Sequence, residues 1–363
     1  MADPKGYRFV SDEPVPPGET IAEILEDRGL SQTDFALLVG RSTKNVSQLV
    51  NGVAPITHEL AIDLERVLDV PAAFWNSAEA RYRDLLARQR QQEGLAGVGA
   101  WAKRFPLKAM TDREWIAKEA GPAERTEQIL RYFGVSSPDA WQDYWGSPRR
   151  LAARMTTAYA PDTPALTVWL RRGEIEAQDI HTEPYDAARF REALDRLRSA
   201  TLERPEVWHS LLTTECAAAG VAAVLVPELP KIRCHAVSRW LTSDKVLIQL
   251  CLRYRTDDQF WFSFFHEAAH ILKHGKKRLF IDDLAADSAE EAEANRFAAD
   301  FLVPRAEFDA FVAQGVPTKA SVDAFARSLG VAPSIVVGRL QHDGVIAYSR
   351  LNDLKTRLEW VRD

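Results

Sequence analysis

Residues 261–274 read WFSFFHEAAHILKH, and the HEAAH at the centre of that run sets how the rest of the chain is read. A helix turns about 100° per residue, so His266 and His270 share one face, about 6 Å apart along the axis. From there both imidazoles can reach one tetrahedral Zn²⁺, with Glu267 projecting beside the water such an ion would hold. A zinc-held water has its pKa drawn towards about 7, and a carboxylate within hydrogen-bond reach can take its proton. The chemistry implied is metal-assisted attack on a carbonyl, most often that of a peptide bond. The plainer reading is chance, since a bare H-E-x-x-H recurs in long sequences. Against it, positions 260–272 are otherwise almost wholly apolar, so the helix should be buried. Two histidines and a glutamate there each need a partner, and a metal serves all three.

Zinc hydrolases usually add a third protein ligand and leave the fourth position open. The downstream stretch SAEEAEANRFAADFLVP (288–304) reads as a second helix. Ala294, Phe297, Ala298 and Phe301 recur at helical spacing, Ser288 suits the N-cap, and Pro304 ends it. Glu291 and Asn295 lie four apart, so one can bind metal while the other steadies a ligand histidine. Glu290 stays as a reserve ligand, and Glu293 falls among solvent-side positions. His274 is two turns from His266, too far to share the ion, and suits a C-terminal capping role beside Gly275.

HEAAHILKHG followed by EAEANRFAADFLVP resembles the ImmA/IrrE family of bacterial metallopeptidases, over a span from about Ala219 to Pro304. The resemblance implies two histidine ligands at His266 and His270, a catalytic glutamate at Glu267 and a third ligand at Glu291.

The other end of the chain carries a second signal. Four short helices are expected over Gly18–Gly29, Leu30–Gly40, Arg41–Gly52 and Ile56–Val70. Phe35, Ala36, Val39, Val46, Leu49 and Ile56 would form a small core, with Gly40 at a tight turn. Two short helices across such a turn make a helix-turn-helix, whose second helix can enter the DNA major groove. Ser42, Thr43, Lys44, Asn45, Ser47 and Gln48 are left facing outward as hydrogen-bonding types suited to base edges, with Arg41 and Lys44 as phosphate contacts. The alternative is a four-helix protein-binding module: residues 1–90 hold 10 Lys and Arg against 14 Asp and Glu, and the whole chain is at -6. Such a balance argues against sequence-blind nucleic-acid affinity, though a specific dimer can work with a small basic patch. The pattern from Pro17 to Tyr82, with GLSQTDFALLVG, VSQLVNG, ITHELAIDLERVL and FWNSAEARY, is similar to the HigA-type branch of the Xre regulators. That resemblance implies a repressor or antitoxin binding a double-stranded operator as a homodimer, with a toxin or partner repressor as a possible associate.

At 363 residues, 46% of them of hydrophobic type, the chain has material for two or three domains. The expected fold is mainly α with some β: a helix-turn-helix bundle over 1–90, a helical connector over 91–205, a zincin-like peptidase domain over 206–310, and helices over 311–363 packing on it. Gln89–Gly99 reads as a linker. Within the connector Trp101, Phe105, Trp115, Ile116, Leu130, Phe133, Trp141 and Tyr144 are the expected anchors. The alternating charges of Asp186–Leu202 suggest a solvated face, and Arg171, Arg172, Glu174 and Glu176 should pair among themselves. From Gly220, GVAAVLVPEL, AVSRWL and KVLIQLCLRY read as strands of a small sheet whose edge could hold an extended substrate. His235 and Arg239 fall near the site, where either could stabilise an oxyanion. Residues 320–344 read as two helices around Gly330–Pro333, a structural brace despite Arg339, Gln341 and His342. Cys216, Cys234 and Cys251 form no CxxC and read as packing residues of a reducing cytoplasm. No apolar run reaches the ~18 residues of a membrane helix and no signal-peptide core is evident, so a cytoplasmic protein is expected. Cutting itself or a partner regulator under stress is the function these readings favour, with a repressor whose metal domain is a sensor or scaffold as the alternative.

Overall fold

The computed structural model describes residues 14–146, 163–232, 234–274 and 289–360. It is mostly helical with one small sheet, as the sequence suggests. Two compact units are present: described residues up to Gly99 with Ala120–Glu127, and Ala100–Glu119 with the chain from Gln128 onward.

The first unit contains α1 (Pro17–Asp27), α2 (Gln32–Leu38), α3 (Thr43–Val50), α4 (His58–Leu68) and α5 (Ala72–Gly97). Local chemistry sets their starts. The Ser31, Ser42 and Thr57 hydroxyls each accept a hydrogen bond from the backbone N–H three residues on, and Asp34 completes a capping box with Ser31. Gly40 takes φ +64° between α2 and α3, a conformation a Cβ disfavours. Gly18 lets α1 lie against the end of α3, since a Cβ there would run into the Leu49 and Val50 carbonyls. All six expected core residues are buried, joined by Ile21, Leu25, Leu60, Ala61, Leu64, Leu68 and Trp75. The expected linker over 89–99 is a correction: α5 runs on to Gly97. Its Arg, Gln and Glu residues are good helix formers, and they outweigh two glycines.

Helices α6 (Gly99–Ala102), α7 (Leu107–Asp112), α8 (Pro122–Phe133) and α9 (Pro138–Tyr144) come next along the chain. The second unit continues with α10 (Thr163–Asp179), α11 (Ala187–Ala200) and α12 (Pro205–Ala218). Of the expected anchors, Phe105, Ile116, Leu130, Phe133 and Trp141 are buried and Trp101 and Trp115 partly so. Tyr144 is exposed, and its neighbour Trp145 is the buried anchor instead. Strands β1 (Val221–Leu225), β2 (Ala236–Trp240) and β3 (Val246–Leu250) lie in the order β1-β3-β2, β1 parallel and β2 antiparallel to β3. All of β3 is buried, and β2 is an edge.

After the sheet come α13 (Asp257–His274), which packs on β2 and β3, α14 (Ala289–Leu302), α15 (Arg305–Val312), α16 (Lys319–Leu329) and α17 (Pro333–His342). Phe260, Trp261, Phe264, Phe265 and Ala268 on α13 join one core with Leu194, Leu197, Ala298 and Val336. The expected N-cap Ser288 and the turn residue Gly275 lie outside the described residues. α11 is not simply a solvated face. Its Arg198 turns inward and donates to the carbonyls of Phe301 (2.7 Å), Leu302 (3.0 Å) and Leu329 (2.8 Å), closing the C-terminal ends of α14 and α16.

Candidate metal centre and nucleic-acid face

α13 and α14 run antiparallel: His266 meets Asn295, His274 meets Glu293, and the rings of Phe265 and Phe301 lie 5.1 Å apart. This seam brings His266, His270 and Glu291 together, one ligand atom from each lying within 4.8 Å of the others. His266 Nε2 is 3.2 Å from Glu291 Oε2, His270 Nε2 is 3.3 Å from Glu291 Oε1, and the two Nε2 atoms are 3.0 Å apart. Tetrahedral bonds of ~2.0–2.1 Å place ligand atoms about 3.3 Å from one another, so the donor set fits a small divalent ion. Glu290 does not join the cluster.

The outer nitrogens are held as well. His266 Nδ1 lies 3.0 Å from Asn295 Oδ1, and His270 Nδ1 lies 2.9 Å from His274 Nδ1. His274 is therefore no helix cap. Its side chain is 8% exposed and reaches Glu293 at 3.4 Å. Glu293, expected among solvent-side positions, also binds Lys273 at 3.1 Å. Burial would lower the His266 pKa, but the hydrogen bond with Glu291 and the charges of Glu267 and Glu291 outweigh it and leave it raised. Burial would likewise raise the Glu291 carboxyl, yet hydrogen bonds from both histidines bring it down to about 2.

Glu267 is buried beside these ligands, and Ser238 Oγ on β2 donates to its Oε2 at 2.7 Å. Sequence reasoning missed Ser238, because nothing local says which strand residue faces α13. Arg239 is spoken for: it pairs with Glu174 at 2.9 Å and donates to Leu170 O at 2.7 Å, so it ties β2 to α10 and is not poised for an oxyanion. Glu174 and Glu176 also bind Arg171 and Arg172, the pairing that the sequence suggests. His235 precedes β2. It is half-buried, its ring meets Tyr254 edge-on at 5.3 Å, and burial lowers its pKa while the Glu267 charge opposes that. The brace has a polar interior: Gln341 is buried, donating to Tyr348 O, Arg350 O and Asn352 Oδ1, so it presents no recognition face.

On α3, Thr43 and Lys44 are exposed together with Arg41 and Ser42 before it, whereas Asn45, Ser47 and Gln48 are half-buried. The Ser42 hydroxyl accepts from Asn45 N, and the Arg41 guanidinium lies 3.6 Å from Asp63.

Residues 21–75 match the helix-turn-helix family, and a relative from Haemophilus influenzae, an uncharacterized HTH-type transcriptional regulator, is 33% identical over 93 residues, 25% of this chain and 87% of the relative. The chain belongs to the helix-turn-helix regulators. This regulator also matches the IrrE N-terminal-like domain family, Peptidase_M78, over residues 249–341. That span holds His266, Glu267, His270 and Glu291 and continues through α17. A solved structure from Nostoc punctiforme, described as an antidote protein of a plasmid maintenance system, is 30% identical and covers 23% of this chain and 93% of that one, at a TM-score of 0.23.

Proposed function

We propose that this regulator binds a double-stranded operator through residues 1–90, as a homodimer, and carries a zinc-dependent endopeptidase domain over 206–310 that cleaves itself or a partner regulator under stress. Residues 91–205 connect the two and 311–363 brace the peptidase; the setting is cytoplasmic. The observation that carries the enzymatic half is the convergence of His266, His270 and Glu291 with Glu267 beside them. The three ligand residues would hold the ion through Nε2, Nε2 and a carboxylate. Zinc, when bound there, supplies Lewis acidity that polarises a peptide carbonyl and acidifies water.

The remaining steps belong to the chain's own side chains. Glu267 accepts a proton from the attacking water and returns it to the departing amine. Ser238 fixes its Oε2, which leaves Oε1 for that proton. Burial keeps the carboxylate out of bulk water, and β2, an outer strand of the sheet, would lie along an extended polypeptide. On the DNA side, Lys44 and Arg41 would meet phosphates, and Ser42, Thr43, Asn45, Ser47 and Gln48 would line the groove.

A comparison of wild type with Glu267→Gln in the native host, with and without DNA damage, tests this reading. Metal content and protein N-termini would both be measured. Equal zinc with a new N-terminus seen for wild type alone supports the peptidase. Equal zinc with the same N-termini under every stress refutes it, and leaves an antitoxin-type repressor whose metal domain is a sensor or scaffold.

A further inference from the structure

We propose that a cavity one helical turn from the metal centre receives a single aliphatic side chain of the polypeptide held there. This rests on the peptidase reading above. The cavity, about 90 Å³, lies between α13, α14 and α17. Phe262 precedes His266 by four residues, and Ala299 follows Asn295 by four. Because the helices are antiparallel, both stand about one turn, ~5–6 Å, beyond the His266–Asn295 pair on the same side. The Phe262 ring lies 6.4 Å from that of His266 and 6.4 Å from that of His342, on which it stacks. Phe262 is thus a wall shared by the metal centre and the cavity. Leu302, Val303 and Ile335 in its lining are buried and apolar.

Charge and size narrow the occupant. Arg339 in the lining already binds Asp343 (2.9 Å) and Asp300 (3.4 Å) and lies over the Phe308 ring. Asp258 already takes Lys355 at 2.7 Å. A charged side chain would find its countercharge in use. The volume is far below the ~300–1,000 Å³ of small-molecule sites. It is several times the ~10–15 Å³ needed for one water, and below the ~150 Å³ of a cavity known to hold benzene. A valine, leucine or methionine side chain fits those bounds, and an indole does not.

The test uses full-length, zinc-loaded protein and three dipeptide hydroxamates that differ in one side chain: hydrogen, isobutyl or indolylmethyl. Calorimetry reads their affinities, so no catalytic turnover is needed. The isobutyl compound should bind at least about tenfold more tightly than the hydrogen compound, from the transfer of one leucine-sized side chain out of water. The indolylmethyl compound should gain nothing. Ala299 is half-buried at the wall, and Ala299→Leu should abolish the isobutyl preference while leaving the hydrogen compound within about twofold. Equal affinities for all three compounds overturn the cavity proposal and leave the metal centre standing. Failure of all three to bind overturns the metal centre, and the cavity with it. The wild-type series decides by itself if the variant folds poorly.

Discussion

Replacing Asn295 by alanine should weaken metal binding without touching a ligand. Asn295 Oδ1 lies 3.0 Å from His266 Nδ1, a hydrogen bond that fixes which nitrogen carries the proton and aims Nε2 at Glu291. Loss of such outer partners typically costs 10–100-fold in metal affinity, or about 1.4–2.7 kcal/mol. Burial decides where in that range each partner falls. Asn295 is exposed, so water can replace it in the alanine variant, and the loss should be near tenfold, about 1.4 kcal/mol. The His274 side chain, which holds His270 in the same way, is 8% exposed. Water reaches that position less readily, so His274→Ala should cost more, towards 100-fold or about 2.7 kcal/mol. Asn295→Asp keeps an acceptor at the same reach and should retain wild-type affinity or better. The assay is competition for zinc against a chelating dye at neutral pH, on full-length protein. Should both alanine variants stay within about twofold of wild type, the hydrogen bonds do not tune the site and the reasoning fails.

Three other outcomes follow from the same structure. Arg198→Leu should destabilise the second unit by about 2–3 kcal/mol, because three helix-end carbonyls lose a charged donor but can partly rehydrate; a urea midpoint equivalent to less than about 0.5 kcal/mol of change would sink that account. Lys44→Ala should weaken operator binding evenly across sequences and reduce the salt slope by about one, and an unchanged slope in a salt titration would show that α3 is not on the phosphates. Burial pushes the thiols of Cys216, Cys234 and Cys251 up, the last to about 12. The folded state therefore holds protons that the unfolded state releases above a pH of about 8.5, so stability is full below that pH and declines as pH rises through the folded values. Native protein at pH 8 should be silent to a thiol reagent that titrates all three cysteines after denaturation.

What could be read from the sequence depended on how local the signal was. The first unit was legible because its core follows spacing within a few residues, with Val46 and Leu49 pointing inward from α3; the capping roles of Ser31, Ser42 and Thr57 come from the structure. His266 and His270 were legible from their helical step, whereas spacing alone left Glu291 and Asn295 as a pair, and it was the resemblance to the ImmA/IrrE family that implied Glu291 as the ligand. The i, i+4 step from His270 to His274 was visible too, yet read as a cap, because only the burial of His274 shows that its ring faces inward. Ser238, Arg198 and the cavity wall were not legible. Each depends on which element packs against which, and no periodicity within one segment encodes that choice.

The brace over 311–363 belongs energetically with α13. Asp257 and Asp258, the first residues of α13, are both buried, and carboxylates so placed need partners. Those partners come from the far end of the chain. Ser334 Oγ and Thr356 N donate to Asp257 at 2.7 and 3.0 Å, and Lys355 Nζ lies 2.7 Å from Asp258. Lys355 is itself held by Gln341 on α17 at 2.8 Å. Removing the brace would strand two buried carboxylates at the N-terminus of the helix that carries His266, Glu267 and His270. It would also strip the Leu329 carbonyl from Arg198, the residue that closes α14 and so steadies the helix carrying Glu291. Both helices are therefore anchored at the end remote from His266, His270 and Glu291, which leaves the seam between them to be set by side-chain packing. A segment that contributes no member of the His266, His270 and Glu291 cluster thus holds the two helices that carry it.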